Sequence, residues 1–348
     1  MKKASRRSRN QMTMHEAAKL IGVSPMTVSR VLSGDSKKVS QETRERVLAE
    51  IKRIGYTPNA AARSLAAART LRIGLLYNNP SAAYLNEFLV GILDESSRSD
   101  CQITLENCST RNEQAAVKKL LGEGLDGIML PPPLSDSKQV LESLRSAKIP
   151  FASVAGSTAA EAGLSVCIDN FAAAKAMTRH LLVLGHRDIA FILGASNQLA
   201  SAQRHAGFVA ALEEIGVKPR PSRIKQGSFT YRSGLTAANE LLNAEDRPTA
   251  IFASNDDMAA AVIATAHRLH LEVPRDLTVV GFDDTLLATT IWPPLTTIRQ
   301  PIAMMAKKAL ELLLKEIRLR SSGETLQPLQ QLLKFSLVRR DSSGLRQG

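Results

Sequence analysis

Four polar side chains follow predicted strands in the C-terminal four fifths of this 348-residue chain. Tyr84 lies beyond the apolar run RIGLLY, Arg204 follows AFILG, Asn255 follows AIFAS and Asp283 follows VVGF. An arginine and an aspartate from different loops, with an amide and an aromatic ring, suit a polyhydroxylated ligand. Fixed donors and acceptors can bind its hydroxyl groups while the ring covers a sugar face. Further candidates for the same site are Gln198, Phe229 and Trp292, of which the tryptophan could instead pack in the core.

The sequence shows no catalytic motif. Gly-x-Ser-x-Gly and Gly-x-x-x-x-Gly-Lys are both missing, and no group of His, Asp and Glu has the spacing of a metal site. A helix cap explains one of Asp256 and Asp257 better than a metal pair does, and His267 and His270 are typical of surface residues. We therefore expect a protein that binds ligands, with no enzymatic activity, no cofactor and no metal.

These candidate residues depend on a repeating order of strands and helices. The apolar runs RIGLLY, CQITLEN and GIML alternate with helical patterns, and the alternation restarts after Val166 with AFIL, AIFAS and LTVVGFDD. Continuous apolar strands separated by helices predict parallel sheets that are covered on both faces. We expect an α/β core of two doubly wound parallel-sheet subdomains, with the ligand in the crevice at the carboxyl ends of the strands.

The positive charge of the chain is concentrated at its N-terminus. Residues 1–72 hold 16 Lys and Arg against 5 Asp and Glu, whereas residues 73–348 hold 29 against 28. A basic run can be a solvated face. Charge confined to one small folding segment instead favours a polyanionic partner, because neutralising phosphates releases counterions. The N-terminal fifth is therefore predicted to bind nucleic acid.

Residues 13–55 have the spacing of a helix-turn-helix followed by a third helix. Thr13 begins a capping box with Glu16, and Gly22 ends the first helix. Ser24 caps the second helix, and Ser40 caps the third. The residues expected to form the apolar contacts between these helices are Ala17, Ala18, Ile21, Val28, Val31, Leu32, Val47, Leu48, Ile51 and Ile54.

This segment resembles the DNA-binding headpiece and hinge of the lactose-repressor (LacI/GalR) family. The resemblance is carried by TMHEAAKLIGVSPMTVSR at residues 13–30 and by VSQETRERVLAEIKRIGYTPNAAARSLA at residues 39–66. It implies an all-α headpiece whose second helix enters the major groove of an operator. Because family members often carry a polar pair where this chain has Pro25 and Met26, we expect an unusual sequence preference.

The resemblance also implies which residues contact DNA. Pro25, Met26 and Arg30 would lie nearest the bases, where Arg30 can donate two hydrogen bonds to a guanine and Met26 offers an apolar contact. Phosphates would be contacted by Thr13, Ser24, Thr27, Ser29 and Asn59, of which the serines and threonines are also plausible helix caps. In the hinge helix the matching residues are Ala62 and Leu65. Leu65 would enter the minor groove and bend the duplex, unless it covers the headpiece instead.

The rest of the chain resembles the core of the same family, which is similar to periplasmic sugar-binding proteins. The motifs that carry this resemblance are Asp169-Asn170, Gly185-His186-Arg187, Arg204-x-x-Gly207-Phe208, Asn255-Asp256-x-Met258-Ala259, Gly281-Phe282-Asp283 and Pro294-Leu295-Thr296-Thr297-Ile298. They place Arg204 and Asp283 at the family's effector contacts. The implied boundaries are a basic arm at 1–10, a helix-turn-helix domain at 11–57, a hinge helix and linker at 58–70, an effector-binding core at 71–342 (subdomain 1 about 71–170 and 302–329, subdomain 2 about 171–299 and 332–342) and a tail at 343–348.

The expected function is sequence-specific repression of transcription, relieved by a small carbohydrate-like effector. A regulator that needs a purine-like or phosphorylated corepressor is the alternative within the same class. A transport-type sugar-binding protein would need export and would lack the headpiece, and an enzyme would need a catalytic constellation. Both of these are disfavoured.

The expected partners are a pseudo-palindromic double-stranded DNA operator, a sugar or sugar derivative, and a second copy of the chain. A dimer is expected because one headpiece contacts only a half-site. The segment after Leu326 lacks the leucine heptads of a tetramerisation helix, so a tetramer is not expected. No stretch approaches the roughly 20 apolar residues of a membrane span. Charged residues also interrupt the N-terminal segment in which a signal peptide would have its apolar core. We therefore expect a cytoplasmic protein with reduced thiols at Cys101, Cys108 and Cys167.

Overall fold

The computed structural model divides into two compact units, Met1–Thr70 and Leu71–Gly348. Within them the structure describes residues 14–33, 39–54, 70–108, 112–156 and 163–347. The first unit is helical and the second is α/β. No helix in the described ranges is long and apolar enough to span a lipid bilayer.

The helices of the first unit are α1 (Met14–Ile21), α2 (Pro25–Ser33) and α3 (Gln41–Arg53). The turn after α1 depends on Gly22, because its φ of +74° lies in a region that side chains disfavour. The Ser24 hydroxyl accepts a hydrogen bond from the Thr27 amide at 3.1 Å, and the Ser40 hydroxyl accepts one from the Thr43 amide at 3.3 Å. Both predicted caps therefore form.

A small apolar core holds these helices together. Its buried members are Ala17, Ala18, Val28, Val31, Val47 and Ile51. The prediction is wrong for Leu48, whose side chain is 42% exposed. Val47 and Ile51 are four residues apart and share one helical face, whereas Leu48 is rotated about 100° from Val47.

The second unit contains two lobes. Its strands are β1 (Arg72–Tyr77), β2 (Gln102–Asn107), β3 (Gly127–Leu130), β4 (Phe151–Val154), β5 (Leu164–Ile168), β6 (Ile189–Ile192), β7 (Ile224–Lys225), β8 (Ala250–Ala253), β9 (Thr278–Val280), β10 (Thr297–Arg299), β11 (Leu329–Leu333) and β12 (Ser336–Val338). Its helices are α4 (Ala82–Ser99), α5 (Glu113–Gly122), α6 (Lys138–Ser146), α7 (Asn170–Val183), α8 (Leu199–Glu213), α9 (Tyr231–Leu242), α10 (Asp256–Arg268), α11 (Leu287–Thr290) and α12 (Ile302–Ser321). Short 3-10 turns cover Leu134–Asp136 and Pro221–Arg223.

Each lobe is built on a parallel sheet. Lobe 1 has the strand order β11-β5-β4-β3-β1-β2, and lobe 2 has the order β7-β6-β8-β9. In lobe 1, Ile73 of β1 pairs with Ile103 of β2 on one side and with Gly127 of β3 on the other. Strands β3, β4, β6 and β8 are buried along their whole length, as expected for sheets with helices on both faces. The predicted architecture of two doubly wound subdomains is confirmed.

The chain passes between the lobes three times. The crossovers join β5 to α7, β10 to α12, and β11 to β12, and each spans one or two residues. Strands β10 and β12 pair antiparallel, and bridges from Val280 to Thr296 and from Asp283 to Arg299 attach β10 to lobe 2. Three short connections side by side are typical of a hinge.

The C-terminal end differs from the implied boundaries, which end subdomain 1 near residue 329 and place a tail at 343–348. Strand β11 belongs to lobe 1 and extends to Leu333, and the next strand begins only at Ser336. The boundary of subdomain 1 therefore lies beyond residue 329. The tail packs on lobe 2, because His180 Nε2 lies 3.1 Å from the Ser343 hydroxyl and His186 Nε2 lies 3.1 Å from the Gly344 carbonyl.

Candidate functional site

The start of α2 is the described part of the expected DNA-binding surface. Met26 is 62% exposed, while Pro25 and Thr27 are half-buried. Ser24 is exposed, and its hydroxyl lies 2.8 Å from the Thr27 hydroxyl. A helix N-terminus with exposed hydroxyl groups can contact a phosphate, because its first amides have no partner within the helix.

Several predicted DNA contacts lie outside the described residues. These are Thr13, Asn59, Ala62 and Leu65, together with the side chains of Ser29 and Arg30. Their assignments stay predictions that depend on the resemblance.

A crevice lies between the two lobes of the α/β unit. It encloses about 410 Å³ of space, part of which is open to solvent. Its lining residues are Asn79, Pro80, Ser81, Tyr84, Pro132 and Ala155 from lobe 1, Gln198, Ala200, Arg204, Phe229, Asn255 and Asp283 from lobe 2, and Gln300 from the second crossover.

Arg204 and Asp283 form a buried ion pair in the lobe 2 wall. Arg204 Nη1 lies 3.8 Å from Asp283 Oδ1, and the two residues are 3% and 4% exposed. The guanidinium donates to Asn170 Oδ1 at 2.9 Å and to the Ser254 carbonyl at 2.5 Å. It also lies 3.6 Å from the centre of the Phe282 ring. The protein itself therefore holds the guanidinium in place.

The acidic groups of this wall are difficult to ionise. Burial raises the pKa of Asp283 to about 7, although the nearby Arg204 and Gln300 lower it. Burial and the neighbouring Asp283 also raise the pKa of Asp256. Asp256 accepts hydrogen bonds from the Thr297 hydroxyl at 2.7 Å and the Thr285 amide at 2.8 Å. An anionic ligand beside these carboxyl groups would raise their pKa further, since a nearby negative charge disfavours their ionisation.

Two of the lining residues have a buried polar atom without a hydrogen-bond partner, Tyr84 Oη and Gln300 Oε1. Burial raises the pKa of Tyr84 far above its usual value, so its hydroxyl remains a donor. Gln300 donates from Nε2 to Asp283 Oδ1 at 2.6 Å, which leaves Oε1 as an acceptor. Because unsatisfied buried polar groups are costly, a ligand that supplies both a donor and an acceptor would be stabilised here.

Phe229 forms an aromatic wall of the crevice. Its carbonyl accepts a hydrogen bond from Asn255 Nδ2 at 3.0 Å, and its φ of +59° is unusual for a residue with a side chain. Its ring packs onto Gly194, where an added Cβ would lie only 1.9 Å from the ring. A ring held in this way can cover the face of a sugar.

The structure brings six of the seven predicted ligand residues to the crevice: Tyr84, Gln198, Arg204, Phe229, Asn255 and Asp283. It does not bring Trp292, which is 77% exposed and outside the lining set. The alternative of core packing is also wrong for Trp292. The neighbouring Ala288 and Leu295 are fully buried and fill the core from this segment.

Sequence reasoning missed Gln300, Asn79 and Ser81. Gln300 follows β10 as Asp283 follows β9, and Asn79 and Ser81 follow β1 ahead of Tyr84. The same rule of polar residues after strands could have identified all three.

The predicted helix cap at Asp256 or Asp257 is wrong by one residue. Asn255 caps α10, because its Oδ1 accepts a hydrogen bond from the Met258 amide at 3.0 Å. The two aspartates have separate partners, since Asp257 Oδ2 accepts from the Ser81 hydroxyl. Within the described residues, no group of three or more His, Cys, Asp or Glu side chains is placed to hold a metal ion.

Two family descriptions match this chain. Residues 13–59 match "Bacterial regulatory proteins, lacI family", and residues 178–343 match "Periplasmic binding protein-like domain".

Similar proteins cover nearly the whole chain. Catabolite control protein A from Priestia megaterium is 33% identical over 327 residues, which is 93% of this chain and 98% of that protein. The HTH-type transcriptional regulator CelR from Thermobifida fusca is 33% identical over 344 residues, or 96% of this chain and 99% of that one.

Solved structures agree with these sequence matches. A complex of the transcriptional regulator CelR with cellobiose superposes with a TM-score of 0.71 at 30% identity, covering 95% of this chain and 99% of that chain. The lac repressor dimer bound to operator and the anti-inducer ONPF superposes with a TM-score of 0.77 at 27% identity, covering 96% and 100%.

Proposed function

Because the chain belongs to the lacI family of bacterial regulatory proteins, we propose that it represses transcription from an operator and releases it when a small neutral sugar occupies the crevice. The observation that carries this proposal is the Arg204–Asp283 pair beside the unpartnered Tyr84 Oη and Gln300 Oε1. A polyhydroxylated ligand can donate to an oxygen and accept from a hydroxyl at such a site.

The charge of the crevice favours a neutral ligand over a phosphorylated one. Arg204 and Asp283 are the charged residues of its lining, and they face each other. A phosphate would have to compete with Asp283 for the guanidinium, which also bonds Asn170 and Ser254. The structure of CelR, a relative, is a complex with cellobiose, which supports a sugar as the ligand class here.

The DNA-binding part of the proposal depends on α2. At the start of this helix Ser24 and Met26 are exposed to solvent, and Thr27 is half-buried. We expect Met26 to contact a base and Arg30 to donate hydrogen bonds to one guanine in each half-site. The lac repressor structure with operator supports this mode of binding.

We propose that the regulator acts as a homodimer. The related lac repressor is a dimer on its operator, and α4 exposes Val90 by 53% and Leu93 by 56%. Residues three apart share one helical face, so a second copy could cover both side chains. We place the protein in the cytoplasm, where operator DNA is accessible, and we assign it no catalytic activity.

A ligand screen combined with operator binding tests this function. We would select an operator from a random pseudo-palindromic library with the purified protein. Neutral sugars, sugar phosphates and nucleobases would then be compared by thermal shift. We expect a neutral sugar to raise the melting temperature and to lower operator affinity in fluorescence anisotropy. A sugar phosphate or a nucleobase that alone raises both would instead establish the corepressor mechanism.

Phe229→Ala and Phe171→Ala provide a matched pair of variants for this screen. Phe229 lines the crevice, whereas Phe171 is 39% exposed and outside the lining set. Loss of the Phe229 ring should weaken the sugar response without changing operator affinity, and loss of the Phe171 ring should change neither. Equal sugar responses in both variants would place the ligand elsewhere.

A further inference from the structure

Among the residues that the structure describes, hydrogen bonds at Ser81 and at Leu199 connect lobe 1 with lobe 2 at the crevice. The Ser81 hydroxyl, from lobe 1, donates to Asp257 Oδ2, from lobe 2, at 2.6 Å. The Leu199 amide at the start of α8 donates to Asp136 Oδ2 of lobe 1 at 3.2 Å. Each bond pairs a carboxylate of one lobe with a donor of the other.

The Ser81 hydroxyl is committed on both sides. It accepts a hydrogen bond from the Tyr84 amide at 3.2 Å and thereby caps α4, while its own proton goes to Asp257. Ser81 is 2% exposed, so water does not compete freely for this bond. Asp257 is half-buried, and a hydrogen bond to a charged acceptor is among the stronger ones in proteins.

Asp257 also contacts the wall of the ligand crevice. Asn255 Nδ2 lies 3.3 Å from the same Asp257 Oδ2 and donates to the Phe229 carbonyl at 3.0 Å. Burial raises the pKa of Asp257, while the Ser81 hydrogen bond lowers it. A continuous set of contacts therefore runs from the start of α4 in lobe 1 to the aromatic wall in lobe 2.

We propose that Ser81 and Asp257 form a latch that holds the lobes closed, with Asp257 as the positioning residue that links closure to Asn255 and Phe229. The latch regulates the crevice and so rests on the proposed function, although the bond itself does not depend on which ligand binds. Because the lobes are joined by three crossovers of one or two residues, a bond across the crevice restrains their opening directly. The closed form is then stabilised by the chain itself, and a ligand has to supply less of the closing free energy.

Hydrogen–deuterium exchange of the full-length protein, without added sugar, tests the latch. In Ser81→Ala we expect exchange in residues 255–262 and 198–204 of lobe 2 to become about tenfold faster or more, since a charge-assisted hydrogen bond is lost. In Asp257→Ala we expect the reciprocal increase in residues 81–88 of lobe 1. In residues 198–204, which lie away from both substituted helix starts, the double variant should exchange no faster than the single variants, because both remove the same bond.

Ser137→Ala is the matched control. Ser137 caps α6 through the Val140 amide at 3.4 Å and donates to Glu113 Oε2 at 2.7 Å, but both partners lie in its own lobe. This variant loses a cap and a bond to a carboxylate, so its faster exchange should stay within lobe 1.

Faster exchange confined to residues 79–88 in Ser81→Ala would overturn the proposal, because a lost helix cap alone produces it. If Asp257→Ala does not fold, Asp257→Asn keeps the shape and removes the charge, and it should show the same pattern with a smaller change. Because no sugar is used, failure of the ligand screen leaves this result unaffected.

Discussion

Replacing Arg204 by methionine should destabilise the α/β unit strongly. The change keeps much of the side-chain volume but removes the cation that faces Asp283 at 3.8 Å. It also removes the donors to Asn170 Oδ1 and to the Ser254 carbonyl. The Asp283 carboxylate, 4% exposed, would then keep Gln300 as its side-chain donor.

The structure supports an estimate of the loss. Removing one partner of a buried ion pair costs about 3 to 5 kcal/mol, because it leaves an uncompensated charge. The unpaired Asp283 carboxylate causes most of this loss. Adding Asp283→Asn should therefore restore part of the lost stability, with a coupling energy of about 1 to 3 kcal/mol between the two substitutions. Asparagine suits this position because the φ of Asp283 is +119° and asparagine tolerates positive φ better than most residues.

The loss should depend on pH. The folded-state pKa of Asp283, about 7, already exceeds its ordinary value of 3.8, and losing Arg204 raises it further. The folded protein therefore holds this proton above pH 4, and the stability gained from it disappears as the pH rises through the folded-state pKa. Arg204→Met should thus cost less at pH 5 than at pH 8.

Urea unfolding followed by circular dichroism measures these free energies of unfolding. Arg179→Met is the control, because Arg179 bonds Glu214 at 2.7 Å with 58% of its side chain exposed, and water screens such a surface pair so that its loss should change the stability little. A loss below about 1 kcal/mol in Arg204→Met at pH 8 would refute the role of the pair. So would a double variant that is no more stable than the single one.

Three further predictions concern DNA, the ligand wall and pH. Arg30→Ala should weaken operator binding by about 1 to 3 kcal/mol and reduce the sequence preference at one base pair of each half-site. Arg6→Ala, in the basic arm, should lower the affinity for all DNA sequences alike. An unchanged footprint and sequence preference in Arg30→Ala would contradict the placement of Arg30 in the major groove. In Gly194→Ala the added Cβ would lie 1.9 Å from the Phe229 ring. The variant should lower the free energy of unfolding by about 1 to 3 kcal/mol and reduce the thermal shift caused by sugar. An unchanged thermal shift would mean that the Phe229 ring does not form a wall of the ligand site. The stability of the unaltered protein relative to Asp283→Asn should fall as the pH rises from about 4 to 7, because burial raises the pKa of Asp283 to about 7; a flat difference in urea unfolding would contradict this.

Local signals in the sequence were sufficient for the helix-turn-helix. Ser24 and Ser40 cap the helices as predicted, since a cap depends on residues only two or three positions away. Leu48 was placed wrongly because the side of α3 that is buried depends on where α1 and α2 pack.

The crevice could be predicted in outline for a related reason. Parallel strands end at one edge, so polar residues after strands, such as Arg204 and Asp283, converge whatever their distance in sequence. The exposure of Trp292 could not be predicted, because aromatic type alone does not determine which residue of a loop fills the core.

The sequence by itself determined the family, the order of strands and helices, the positive charge of the first 72 residues and six of the thirteen residues that line the crevice. Only the tertiary structure decided the partners of those residues. Ser81 and Asp257 are 176 positions apart, and Arg204 meets Asn170 and Ser254 inside a wall that excludes water. Which charges are buried, and therefore which pKa values rise and which bonds join the lobes, depends on the packing of distant elements around them.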